Sequence, residues 1–145
     1  MSSEQPLPPA NPNPNEPSDT KQTARQPCVL LVEDDRSARR YLEVALQRCG
    51  YTVVIAADGL EAIRLALSSP IDAVVTDAIM PNLSGQELAR FLRSNQKLAH
   101  LPIVLLTGQE NQAAGAEKDL IDAFLYKPVK VDELKKCLTG LLHQK

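Results

Sequence analysis

Asp77 closes the apolar run Ile71-Asp72-Ala73-Val74-Val75-Thr76 and precedes Ala78-Ile79-Met80-Pro81, which puts a carboxylate where a buried strand meets a loop. Three further runs end in polar groups. Cys28-Val29-Leu30-Leu31-Val32 leads into Glu33-Asp34-Asp35, Ile103-Val104-Leu105-Leu106 into Thr107-Gly108, and Ala123-Phe124-Leu125-Tyr126 into Lys127-Pro128. In an open α/β sheet the carboxyl ends of the strands share one crevice, so these distant residues converge. Asp34, Asp35 and Asp77 repel one another there unless a hard cation with oxygen ligands joins them. Mg²⁺ suits that place, since it takes one or two carboxylates, keeps several waters and accepts a phosphate oxygen. The competing reading is that Asp34 and Asp35 merely cap a helix, for which either would serve. Thr107 offers a hydroxyl beside Gly108, where another oxygen can approach the backbone. Lys127 is a point charge on a backbone restricted by the following proline. A carboxylate nucleophile, a divalent ion, an ammonium and a hydroxyl donor are what acyl-phosphate formation needs. The ion and Lys127 stabilise the transferring oxygens while Asp77 attacks in line, and no general base is required.

The elements that must position these groups follow from periodicity and caps. From Cys28 onward, short β-branched or leucine runs alternate with amphipathic stretches, the pattern of βα units and a parallel sheet. The near-continuous apolarity of the strands implies helices on both faces of the sheet. A first helix over about Ser37 to Cys49 places Tyr41, Leu42, Ala45, Leu46 and Cys49 on one stripe, stopped by Gly50. A second strand follows at Thr52 to Ala56. Asp58 with Glu61, and Ser84 with Glu87, read as capping boxes opening helices that end near Ser68 and Asn95. A last helix from about Val131 aligns Leu134, Cys137, Leu138, Leu141 and Leu142.

Composition bounds the rest. A chain of 145 residues suits one domain, here Cys28 to the end. Residues 1–27 hold seven of the eleven prolines and almost nothing apolar, which predicts a disordered Pro/Asn-rich tether. A net charge of -2 leaves no basic footprint for nucleic acid. No apolar stretch is long enough for a bilayer and no secretory signal is visible, so the expectation is a cytoplasmic protein. Cys28, Cys49 and Cys137 read as small core residues, and His100 and His143 lack partners at metal-ligand spacing.

Taken together, Val32-Glu33-Asp34-Asp35, Asp77-Ala78-Ile79-Met80-Pro81-Asn82-Leu83-Ser84-Gly85, Leu106-Thr107-Gly108 and Lys127-Pro128 resemble the receiver domains of two-component response regulators, with the stand-alone chemotaxis response regulator as the nearest simple analogue. The resemblance implies a five-stranded parallel sheet in the flavodoxin-like 2-1-3-4-5 order. It implies that Asp77 accepts the phosphoryl group, that Asp34, Asp35, Asp77 and the carbonyl of Ile79 hold Mg²⁺, and that Thr107 and Lys127 meet the phosphoryl oxygens. Phe124 matches the aromatic residue that rotates inward on activation, and Lys127-Pro128 matches a cis bond. The implied donor is a histidine kinase or histidine phosphotransfer protein, and the implied output is a protein contact with a downstream target. The stretch from Thr107 to Lys127 is shorter than the family's by about half a helical turn, so the helix within Glu110 to Lys118 is expected to be truncated and weak.

A hydrogen bond from Thr107 to a charged group contributes about 1.5 to 3 kcal/mol, whereas a near-complete population switch needs about 5.5 kcal/mol. Lys127 pairing, the ion and repacking of Phe124 are therefore expected to supply the remainder. Two alternatives stand beside this reading. One is a phosphorelay intermediate, which sequence does not separate from a terminal effector. The other is a Mg²⁺-dependent haloacid-dehalogenase-like phosphatase, which favours acids two apart at the first strand, where this chain has adjacent ones.

Overall fold

The computed structural model describes residues 26–108 and 118–142. The expected tether over 1–27, apart from its last two residues, and the expected weak helix, apart from Lys118, lie outside the described residues.

Five strands form one parallel sheet: β1 (Cys28–Val32), β2 (Thr52–Ala56), β3 (Ala73–Asp77), β4 (Ile103–Thr107) and β5 (Ala123–Tyr126). Their spatial order is β2-β1-β3-β4-β5, the 2-1-3-4-5 order expected. Helices α1 (Arg36–Arg48), α2 (Gly59–Ser68) and α3 (Gly85–Ser94) make the crossovers that link β1, β2, β3 and β4; a 3₁₀ turn at Lys118–Leu120 precedes β5, and α4 (Val131–Leu142) follows it.

Alternation along each strand divides the core into two. Leu30, Val32, Val74, Ile103 and Leu105 pack with Leu88 and Leu92 of α3 and Ala62 and Ala66 of α2. Val29, Leu31, Val75, Val104 and Leu106 pack on the other face with Leu42 and Leu46 of α1 and Leu134 and Leu138 of α4. The three inner strands β1, β3 and β4 are buried along their whole length, as their unbroken apolarity implies. The edge strands are less covered: β2 is exposed at Thr52 and β5 is half-buried, exposed at Tyr126.

Local chemistry sets the helix ends. Asp35 caps α1, its Oδ2 accepting from Ala38 N at 2.8 Å. At the other end Gly50 sits at φ +98°, its N–H donating to Gln47 O and that of Tyr51 to Leu46 O, the paired bonds of a Schellman stop. Ser84 and Glu87 form a reciprocal capping box at α3. At α2 the box is displaced by one residue: Asp58 accepts from Glu61 N, while Glu61 Oε1 accepts from Ala57 N. Tyr41, expected on the buried stripe of α1, is 49% exposed, because its hydroxyl reaches across to donate to Val129 O at 3.1 Å. Among the described residues no helix is long and apolar enough to cross a membrane.

Candidate functional site

The strand order reverses direction between β1 and β3, since β1 connects outward to β2 on one side and β3 lies on the other. The ends of β1 and β3 therefore border the crevice at the switch point. Glu33 follows β1 directly and is fully buried, and Asp77, the last residue of β3, is 7% exposed. Asp34 beside them faces solvent. Oxygens of Glu33, Asp34 and Asp77 lie within 4.8 Å of one another. Lys127, just past β5, brings its Nζ to 3.0 Å from Asp77 Oδ1 and 3.7 Å from Glu33 Oε1. Its backbone N–H donates to Thr107 O at 2.8 Å, which ties the lysine to the end of β4. The Lys127–Pro128 bond is cis, as the resemblance implied.

The electrostatics follow from this crowding. Burial pushes the Glu33 carboxyl up to about 7; the hydrogen bond from Asp35 N at 3.1 Å opposes that, and the charge of Asp77 adds to it. Burial draws the Lys127 ammonium down, but its hydrogen bond and charge attraction to Asp77, helped by Glu33, outweigh burial and hold it above the ordinary lysine range. Glu33 Oε1 is buried without a hydrogen-bond partner, since 3.7 Å to the ammonium is close enough for charge attraction and too long for a hydrogen bond. An orphaned carboxylate oxygen beside two other carboxylates is an all-oxygen donor set, which fits a hard divalent cation of the Mg²⁺ kind.

One acid expected in the cluster is not brought into it. Asp35 stands outside the acidic cluster, because its side chain is committed to capping α1. Glu33 takes its place. The helix begins at Arg36, one residue before the expected start, and that single step makes Asp35 the cap and leaves Glu33 and Asp34 as the strand-end pair. The signal was present in Val32-Glu33, where Glu33 is the first polar residue after an apolar strand. Asp34, Asp77 and Lys127 come together as expected. Thr107 is buried at the end of β4, on the strand next to Asp77. Ile79 is exposed, two residues beyond Asp77. Phe124 is half-buried, pairs in register with Leu105 and packs against the α2–α3 side of the core. Arg39 of α1, not singled out by sequence, donates from Nη1 to Glu33 O at 3.0 Å and fixes the backbone that carries the acids.

Residues 29–139 match the family model described as the response regulator receiver domain. Response regulator MprA of Mycobacterium ulcerans is 39% identical over 119 residues, amounting to 80% of this chain and 50% of that protein. The chain thus spans about half the length of the MprA proteins it matches. Response regulator protein TrrA of Thermotoga maritima, solved in complex with Mg(2+)-BeF, is similar at 32% identity with a TM-score of 0.75, covering 81% of this chain and 100% of that one. The receiver domain of a sensor histidine kinase from Pseudomonas aeruginosa PAO1, solved with a magnesium ion coordinated in its active site cleft, is similar at 29% identity with a TM-score of 0.78, covering 83% and 100%.

Proposed function

The chain belongs to the response regulator receiver domain family, and from that premise we propose that Asp77 is its phosphoryl acceptor, with Lys127 and Thr107 as the groups that meet the phosphoryl oxygens. Receiver domains are signalling domains switched by phosphorylation in two-component systems, and histidine kinases phosphorylate them. The haloacid-dehalogenase-like alternative finds no support in the similar proteins.

The observation that carries the assignment is the 3.0 Å pairing of Lys127 Nζ with Asp77 Oδ1 inside the acidic cluster. Glu33, Asp34 and Asp77 would hold Mg²⁺, with the Ile79 carbonyl as a further oxygen ligand. The ion supplies positive charge against the oxygens of the incoming phosphoryl group and offsets the mutual repulsion of the acids. Asp77 forms the new O–P bond as the P–N bond of a phosphohistidine breaks, and the departing imidazole keeps the electron pair and takes a proton. Lys127, already aimed at Asp77, follows the charge onto the phosphoryl oxygens. Thr107 donates its hydroxyl to one of them, and Phe124 repacks into the space vacated. On this reading the chain promotes only its own phosphorylation and dephosphorylation. Residues 28–145 form the receiver unit, with 1–27 as its tether.

The donor is a histidine kinase or a histidine phosphotransfer protein, and the output is contact with a downstream protein rather than nucleic acid. A phosphorylated histidine phosphotransfer domain mixed with the chain is expected to lose its label to Asp77. Absence of transfer, with the Asp77→Asn variant behaving like wild type, contradicts the assignment. Return of label from Asp77 to fresh phosphotransfer domain identifies a relay intermediate.

A further inference from the structure

Asp77 leads into the loop from Ala78 to Ser84, which ends at the cap of α3. Asn82 in this loop has φ 73° and Leu83 N donates to Pro81 O at 2.8 Å, so the turn is tight. Two glycines hold the loop by close approach. At Gly85 an added Cβ would collide with the backbone carbonyl oxygen of Asp77 itself, and would meet Leu105 Cδ1 at 2.7 Å and Ala78 Cα at 3.2 Å. Gly85 N also donates to Ala78 O at 3.0 Å, so α3 begins pressed directly against the acceptor's peptide unit. At Gly59, the first residue of α2, an added Cβ would meet Leu83 Cβ at 2.6 Å and Leu83 O at 2.9 Å. Neither glycine has the positive φ that explains Gly50. Their requirement comes from packing: the first turns of α2 and α3 approach the loop more closely than a Cβ allows.

We propose that Gly85, with Gly59 behind it, is a positioning residue for phosphoryl transfer: a bare backbone at these helix starts sets where the Asp77 carboxylate points. The flexible end of Leu105 can move aside for a methyl group, but the Asp77 carbonyl is backbone, so relief there shifts the acceptor's peptide unit or the start of α3, which the Gly85 N–Ala78 O bond ties to it. Asp77 meets Lys127 at 3.0 Å, so a shift of its peptide unit is felt where the phosphoryl group arrives. Misplacement of a reacting group by about 1 Å costs on the order of 100-fold in rate.

This inference rests on Asp77 being the acceptor, so the test carries its own reference. Wild type, Gly85→Ala, Gly59→Ala and Leu138→Ala are incubated with Mg²⁺ and acetyl phosphate, and the rate of single labelling is followed by intact mass alongside the thermal midpoint. Leu138 is fully buried in the core face away from the loop, so its truncation lowers stability without touching Asp77. Gly85→Ala is expected to label on the order of 100-fold more slowly than wild type, and Leu138→Ala at the wild-type rate despite its lower midpoint. Gly59→Ala, which meets a side chain first, is expected to fall between them. Folded Gly85→Ala labelling at the wild-type rate overturns the inference. Should Gly85→Ala not fold, Gly59→Ala decides: a folded variant labelling no more slowly than Leu138→Ala overturns it, and slower labelling supports it. Failure of wild type itself to label overturns the acceptor assignment instead.

Discussion

At the scale of single residues, the unusual group is Glu33, a fully buried carboxyl with one oxygen accepting from Asp35 N and the other without a hydrogen-bond partner, 3.7 Å from the Lys127 ammonium. Burial raises it from 4.5 to about 7. Between pH 4.5 and about 7 the folded chain therefore holds a proton that the unfolded chain has released. Stability falls as pH rises through that window, because the folded state is the one that binds more protons. The total change is on the order of 3 kcal/mol in the absence of a cation. Glu33→Gln keeps the shape and loses the titration, so in EDTA the variant should match wild type below 4.5 and exceed it above about 7. Urea denaturation across the range measures this difference. A wild type that gains on the variant as pH rises contradicts the assigned environment. Adding Mg²⁺ should reverse the order at high pH, since the ion binds the ionised acids of the folded state only.

At the scale of elements, the division of labour between adjacent acids is set by where α1 starts. Asp35 serves the helix and Asp34 the cluster. Asp35→Ala should cost about 1 kcal/mol of stability, the usual price of a lost N-cap, and leave Mg²⁺ affinity within a fewfold of wild type. Asp34→Asn should do the opposite, weakening Mg²⁺ binding by on the order of tenfold or more with little effect on stability. Calorimetric titration and thermal melts together distinguish the two, and loss of Mg²⁺ binding in Asp35→Ala would contradict the assignment. This is also where sequence reading reached its limit. The apolar runs gave the strand positions, and Gly50, Asp58 and Ser84 marked helix boundaries, because each of these is a local effect. Glu33 and Asp35 exchange roles on a one-residue shift of a helix start, and periodicity does not resolve boundaries that finely. Arg93 was likewise invisible. It donates to Ala99 O and Leu101 O nearby in the chain and to Leu120 O far from it, and pairs with the equally distant Asp122 at 2.7 Å, joining the end of α3 to the approach to β5.

At the scale of the whole molecule, the parallel order and the two-sided core were legible because uninterrupted apolar strands require cover on both faces, and short βα spacing permits few topologies. The same order explains why the acids of β1 and β3 face the lysine beyond β5: all strands point the same way, so their ends share one rim. The Tyr41 hydroxyl reaching Val129 O shows what the pattern misses, namely a polar tip that draws an otherwise apolar side chain toward solvent. The central claim is that this rim makes Asp77 a phosphoryl acceptor. Incubation with Mg²⁺ and acetyl phosphate, followed by peptide mapping of the labelled chain, tests it most directly. The expected result is one phosphoryl group per chain, confined to the peptide containing Asp77, dependent on Mg²⁺ and absent from Asp77→Asn. Equal labelling of Asp77→Asn, or label mapped to another peptide, would contradict it.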